Sequence, residues 1–325
     1  MTLMDRPTAP SSPVPPASAP PPASATSLDV SRDFCQKLTR RQARNFYYGL
    51  KLLPHAKRTA MYALYAYMRL VDDIADDGDQ PNPTQRHIAL DQWQTATHVA
   101  IDAAALPAAV LPTDHPLWPA FTEMIRNYRV PTAVFDDMIA GQRQDLQAAP
   151  IPDFAALRDY CYRVASVVGV ASLYVFGFQH PDSQSTAPDS QTLQLGIDRG
   201  IAFQLTNILR DLREDSARAR CYMPEDELRR FNVTAAQIAA GKDSADFQEL
   251  MQFQLSRARQ FYGDSASLEQ RIHPDARPTL RAMTEIYRGL LEKIAQKPAR
   301  VLQRRVRLSA ATKLLIGWRA MRGKS

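Results

Sequence analysis

The chain reads as all-α on three observations. Apolar residues recur at three- and four-residue steps over long stretches, alternating strand-like patterns are scarce, and only 12 of 325 residues are glycine. With 45% hydrophobic residues, the chain can bury one large core or two modest ones.

The elements follow in order. Residues 5–27 carry eight of the 24 prolines among Ala, Ser and Thr, a composition that cannot bury a core, so residues 1–27 are expected to be a disordered tail. That segment lacks the apolar central run of a signal peptide. From about Ser31 the pattern turns helical, with a short helix over 33–40 and a second over 45–53 holding the aromatic run Phe46-Tyr47-Tyr48 before Pro54. A long helix is expected over 55–77, where Met61, Leu64, Tyr65, Met68 and Val71 keep helical spacing until Gly78, Pro81 and Pro83. Helices follow at 84–104, 116–128 and 131–146. The stretch 153–178 is apolar nearly all round, which marks a central buried helix. After a polar loop at 179–190 comes another long helix, then a short one opened by Pro224. The segments 244–270 and 275–297 read as an antiparallel pair, and 300–322 as a basic tail punctuated by apolar residues. No stretch approaches the ~20 apolar residues that span a bilayer.

Two acidic clusters stand out, each beside arginine. Arg69 precedes Asp72, Asp73 and Asp76, while Asn207, Asp211 and Asp215 form a second ladder that includes Arg210. Residues four apart share a helix face, and like charges stacked there cost roughly 0.2–0.5 kcal/mol per pair. A lone Asp-Asp-x-x-Asp is more often a solvated face. The second ladder follows an apolar run in which Gln204 and Asn207 lie within a turn of each other, and buried amides need partners. Taken together the two clusters point to a cation. Hard oxygen donors select Mg²⁺, with Mn²⁺ as the alternative occupant, and Mg²⁺ shares its shell with phosphate and water. Two such ladders facing across a cavity would grip a diphosphate.

The formal net charge of +6 suits an acidic ligand or an anionic membrane surface. Scattered basic residues without interleaved aromatics argue against nucleic acid. Cys35, Cys161 and Cys221 form no zinc-like spacing and read as free thiols in a reducing, cytoplasmic setting.

Residues 65–76 (Tyr-Ala-Tyr-Met-Arg-Leu-Val-Asp-Asp-Ile-Ala-Asp) resemble the first aspartate motif of the squalene/phytoene synthase family. Residues 204–215 resemble the second, and Arg220-Cys221-Tyr222-Met223-Pro224 its continuation. Residues 159–169, 137–146 and 305–309 with Lys313-Leu314 are similar to further family segments, in the family's order. Two positions depart from the pattern: Ala219 where glycine is usual, and Gln142 where methionine is common.

The resemblance implies a single-domain isoprenoid synthase bundle over residues 28–325, built around a central cavity. It also implies head-to-head condensation of two prenyl diphosphates with release of diphosphate. Two farnesyl diphosphates giving presqualene diphosphate or squalene are favoured by the Asp-Asp-Ile-Ala-Asp wording and the Phe46-Tyr47-Tyr48 cluster; two geranylgeranyl diphosphates giving phytoene are the alternative. Asp72, Asp76, Asn207, Asp211 and Asp215 are then the metal ligands. Arg69, Arg210, Arg220 and Arg305, with Gln204, hold diphosphate, since guanidinium forks match phosphate oxygens. Phe46, Tyr65, Tyr160 and Tyr222 stabilise the carbocation with their ring faces, and Tyr160 handles the proton. The apolar stretch 164–178 should line the channel for the isoprenoid tails, with Gly169 allowing close approach. Nothing in the sequence shows an NADPH site, so that requirement is left open.

Other classes were weighed on the same residues. A head-to-tail elongase should show a second Asp-Asp-x-x-Asp, and a terpene cyclase Ser/Thr and Glu in the later motif; the ladder here is Asn-x3-Asp-x3-Asp. Non-catalytic relatives that act as assembly factors tend to lose the acids, and both sets are kept. The basic, apolar-interleaved stretch 300–322 is expected either to rest on the inner face of a membrane as a peripheral contact or to be a packed final helix whose arginines serve the active site or solvent.

Overall fold

The computed structural model describes residues 27–43, 46–76, 82–106, 111–147, 149–178 and 187–322. The expected disordered tail thus lies outside the described residues, apart from Ser27, which opens a helix. Among the described residues the architecture is helical, with one isolated bridge between Phe178 and Ile272.

The first half consists of α1 (Ser27–Gln42), α2 (Phe46–Leu50), α3 (His55–Asp76), α4 (Pro83–Ala105), α5 (Trp118–Tyr128) and α6 (Thr132–Gln147). Helix α1 is longer than expected, because its early turns are held from outside. The Ser31 hydroxyl donates to the Leu117 carbonyl at 3.3 Å and accepts from the Ala120 amide at 2.9 Å. Asn82 caps α4 by accepting from the Thr84 amide at 2.9 Å, with Pro83 at the first helical position. Helices α3, α4, α5 and α6 enclose an aromatic core in which Tyr67 meets Phe121 and Phe135 at 4.8 and 5.1 Å between ring centroids. The buried Tyr67 hydroxyl pairs with Thr97 at 3.0 Å.

The expected single helix over 153–178 is α7 (Phe154–Cys161) and α8 (Val167–Phe176), joined by a π-helical turn over Tyr162–Ser166. Close packing on both sides accompanies that turn. A Cβ on Gly200 would sit 2.4 Å from the Ser166 Cα, and one on Gly141 would sit 3.0 Å from Arg163. The Ser166 hydroxyl meanwhile donates to the Ile197 carbonyl at 2.7 Å. Such π turns often accompany functional sites.

Helix α9 (Ser190–Ala217) starts at Asp189, whose side chain accepts from the Thr192 amide at 2.6 Å. It runs between the two halves of the core, with Ile197 packed against both. The second half adds α10 (Glu225–Arg230), α11 (Ala235–Ala239), α12 (Ala245–Asp264), α13 (Leu268–Arg271), α14 (Arg277–Gln296) and α15 (Ala310–Met321). The expected pair α12 and α14 forms, and each also packs on α9. All three cysteines are free, and burial pushes the Cys35 thiol up to about 12.

Candidate active site

Helices α3 and α9 present their acidic faces to one cavity of about 320 Å³. Asp72 lines it from α3; Gln204, Asn207, Arg210, Asp211 and Asp215 line it from α9. Tyr160, Arg220 and Tyr222 complete the wall. The i, i+4 spacing of the second ladder places Asn207, Asp211 and Asp215 on one helix face.

Two of the acids, Asp72 and Asp211, are oriented by neighbours. Asp72 accepts from the Gln142 amide of α6 at 2.7 Å. Asp211 accepts two bonds from Arg210, at 2.8 and 2.5 Å, and one from Arg305 at 3.1 Å, with a second Arg305 ion-pair contact at 2.9 Å. Arg305 also reaches Glu214 at 2.9 Å, which ties the segment after α14 to the ladder. Asn207 donates to Gln204 at 3.2 Å. The buried Tyr287 side chain of α14 lies beside Asn207 and Arg210, and its ring stacks on Phe203 at 4.5 Å.

On the opposite wall Tyr160 and Tyr222 stack at 4.9 Å, and both hydroxyls donate to Asp145, at 3.4 and 3.2 Å. Burial, then the Asp145 charge, raises both phenols, Tyr222 to about 12 and Tyr160 well above its ordinary value. Both therefore stay protonated at neutral pH and act as hydrogen-bond donors.

The donor set fits a divalent cation. The Asn207 Oδ1 is buried and accepts no hydrogen bond. Burial and the neighbouring Asp211 raise Asp215 to about 7, against the pull of Arg218 and Arg220. A cation would satisfy the first atom and restore charge to the second. Among the described residues no three acidic, histidine or cysteine side chains converge on one point.

Not every expected residue lines this cavity. Arg69 is turned onto Asp73 of its own helix, a short i, i+4 pair. Tyr65 lies a turn earlier on α3, half-buried, its phenol pushed up to about 12 by burial with Arg69 and Asp72 among its electrostatic neighbours. The side chains of Phe46 and Asp76 lie outside the described residues. A Cβ on Gly169 would meet the Gly196 carbonyl of α9 at 3.3 Å, so the close approach it allows includes helix packing. Val164 lines the cavity, whereas Val167, Val170, Leu173, Val175 and Phe176 are core. Asp145, Gln142, Arg218 and Tyr287 were not assigned from the sequence. The first two sit in the quoted segment 137–146, and Arg218 lies close after the second ladder; no sequence signal marked Tyr287.

The Squalene/phytoene synthase family model matches residues 39–312. A phytoene synthase of Arthrospira platensis is 35% identical over 88% of this chain and 90% of its own length. A 15-cis-phytoene synthase of Synechococcus elongatus is 34% identical over 89% of this chain and 91% of its own. In fold, the chain is similar to a dehydrosqualene synthase crystallised with a ligand: TM-score 0.78, 24% identity, covering 91% of this chain and 97% of that one. Members of the family are prenyltransferases that condense two prenyl diphosphates head to head. The chain belongs to the squalene/phytoene synthase family and is a prenyltransferase of this head-to-head type.

Proposed function

We propose that this enzyme joins two geranylgeranyl diphosphates head to head and releases diphosphate to give phytoene. The observation that carries the site is the cavity shared by Asp72 and the Asn207, Asp211, Asp215 ladder, walled by Arg210 and Arg220. The C20 substrate is supported by the phytoene synthase names of relatives at 34–35% identity. Two farnesyl diphosphates giving presqualene diphosphate or squalene remain the second reading, favoured by the Phe46-Tyr47-Tyr48 cluster.

In this reading Asp72 on α3 and Asp211, Asp215 and the free Asn207 oxygen on α9 would hold divalent cations between them, one or two carboxylates to each ion, with Asp76 as a further donor. Mg²⁺ or Mn²⁺, when bound, offsets the charge that develops on the leaving diphosphate. Arg210, Arg220 and Arg305, with Gln204, bind phosphate oxygens. Arg69 joins them by leaving Asp73, whose carboxylate is half exposed and readily resolvated. The faces of Tyr65, Tyr160 and Tyr222, with Phe46, shield the allylic cation, at about 0.5–2 kcal/mol per desolvated contact. The departing proton passes to the Tyr160 oxygen as that hydroxyl gives its own proton to the Asp145 carboxylate, to which it already donates. Phytoene formation loses a proton and needs no reductant, so we assign no role to NADPH.

Because the product is a water-insoluble hydrocarbon, this reading includes a peripheral contact of a cytoplasmic enzyme with the inner face of a membrane. Among the described residues no helix is long and apolar enough to cross one.

The test is mass spectrometry of products from each diphosphate with Mg²⁺, with and without NADPH. Phytoene from the C20 substrate in both conditions is the expected result. A C30 product alone would overturn the C20 assignment, and no diphosphate release from either would overturn the assigned site.

A further inference from the structure

Among the described residues, nine large hydrophobic side chains are exposed, and four of them lie on α15: Leu314, Leu315, Trp318 and Met321, each 45–63% exposed. Their spacing, i, i+1, i+4 and i+7, makes one continuous stripe. Ile316 and Ala320 face the other way into the core, so the helix is seated with its apolar stripe outward. Leu314 and Lys313 also border a cavity of about 350 Å³ with Arg40, Tyr47 and Tyr48, and the Tyr48 ring is exposed as well. A soluble surface seldom concentrates apolar area in this way without a partner.

Charge selects the partner. From residue 293 to the end the chain carries ten lysines and arginines and no aspartate or glutamate. Arg305 is committed to Asp211, but Lys313, Arg319 and Arg322 sit on α15 itself. The Arg322 guanidinium lies 3.9 Å from the centroid of the Trp318 ring, pairing a cation with an interfacial aromatic. The charged side chains of α15 are all cationic, with Glu285 of α14 beside Arg319, and such a face repels a second copy of itself and attracts an anionic partner.

We infer that the outer face of α15, with Tyr48 at its rim, is a docking surface for an anionic lipid bilayer. The helix lies in the headgroup plane with Leu314, Leu315, Trp318 and Met321 inserted and Lys313, Arg319 and Arg322 among the phosphates. The consequence for catalysis, delivery of an apolar product into the membrane beside it, rests on the head-to-head reaction. The docking itself does not, and its test uses no substrate.

The test is co-sedimentation of the full chain with phosphatidylglycerol–phosphatidylcholine vesicles and with pure phosphatidylcholine vesicles, at low and high salt. Binding to the anionic vesicles that weakens with salt is expected. The variant L315Q/W318Q/M321Q, with its circular dichroism and Tm as in the parent, should lower the partition coefficient at least about tenfold. Equal binding to both vesicle types, no binding, or parent-like binding by the variant would each overturn the inference. So would a concentration-dependent dimer, seen by light scattering and abolished by the same variant, which would give the face to a second copy.

Discussion

The Gln142 side-chain amide donates to the Asp72 carboxylate at 2.7 Å and so ties α6 to the first acidic cluster on α3. Gln142 is buried, and the bond fixes which way Asp72 faces before any ligand arrives. Outer groups that orient a ligating carboxylate typically contribute 10- to 100-fold to metal affinity or activity. Gln142→Met, which puts back the family's common residue, should raise the Mg²⁺ concentration for half-maximal activity about tenfold. Tm should shift little, because the side-chain volume is kept. A Mg²⁺ titration that superimposes on the parent's would show that the amide only fills space.

Asp72→Ala should lower kcat by at least about 100-fold, equivalent to about 2.7 kcal/mol of barrier. The fold survives, since the loss leaves the Gln142 amide short of a partner, a cost of about 1–3 kcal/mol. Far-ultraviolet circular dichroism and a Mg²⁺-dependent assay check both parts; activity above a tenth of the parent would remove Asp72 from the metal set. Asp211→Ala is a poorer test. It strips the buried Arg210 of its carboxylate, and breaking such a pair costs about 3–5 kcal/mol.

The parts of this site visible in the sequence are those written at short range. Asp72 and the Asn207, Asp211, Asp215 ladder declare themselves because helical spacing places them on one face whatever the tertiary fold. Asp145 and Tyr287 come from other helices, and only packing brings the first under the Tyr160 and Tyr222 hydroxyls and the second against Asn207 and Arg210. The π turn at Tyr162–Ser166 likewise packs against residues from other helices, Gly141 of α6 and Gly200 of α9. Helix α1 was foreshortened in the sequence for the same reason: Ser31 is anchored by Leu117 and Ala120, 86 and 89 residues away.

Ala219 sits in the left-handed region at φ 57°, where the chain leaves α9 and turns toward Arg220. Its amide donates to the Ser216 carbonyl at 3.0 Å, and the Arg220 amide to the Asp215 carbonyl at 2.9 Å. The left-handed region costs an L-residue roughly 1–2 kcal/mol. Glycine avoids that cost but gives back about 0.5–1 kcal/mol through the unfolded chain. Ala219→Gly should therefore stabilise by about 0.5–1 kcal/mol, a rise in Tm of about 1–3 °C. An unchanged or lower Tm would mean the turn holds alanine without strain.

Asp215 has a folded-state pKa of about 7, because burial and the Asp211 charge disfavour its ionised form more than Arg218 and Arg220 favour it. The unfolded chain ionises the same group near its ordinary value of 3.8. Between these two values the folded protein holds more protons than the unfolded one, so stability falls as pH rises through that window. In metal-free protein Tm should decline from about pH 4 to about pH 7 through this group and level off above, while Asp215→Asn should flatten that part of the profile. Subtracting the two profiles isolates Asp215 from the other carboxylates. A cation competes with the proton for the same oxygen atoms, so Mg²⁺ should raise Tm more at pH 8 than at pH 5, and its apparent affinity should strengthen as pH rises through 7. Calorimetric titration of Mg²⁺ into the parent and the Asn variant, across that range and without substrate, is the direct measurement. A Mg²⁺ affinity independent of pH in the parent, or one that Asp215→Asn leaves intact, would take Asp215 out of the cation site and leave its raised pKa to burial alone.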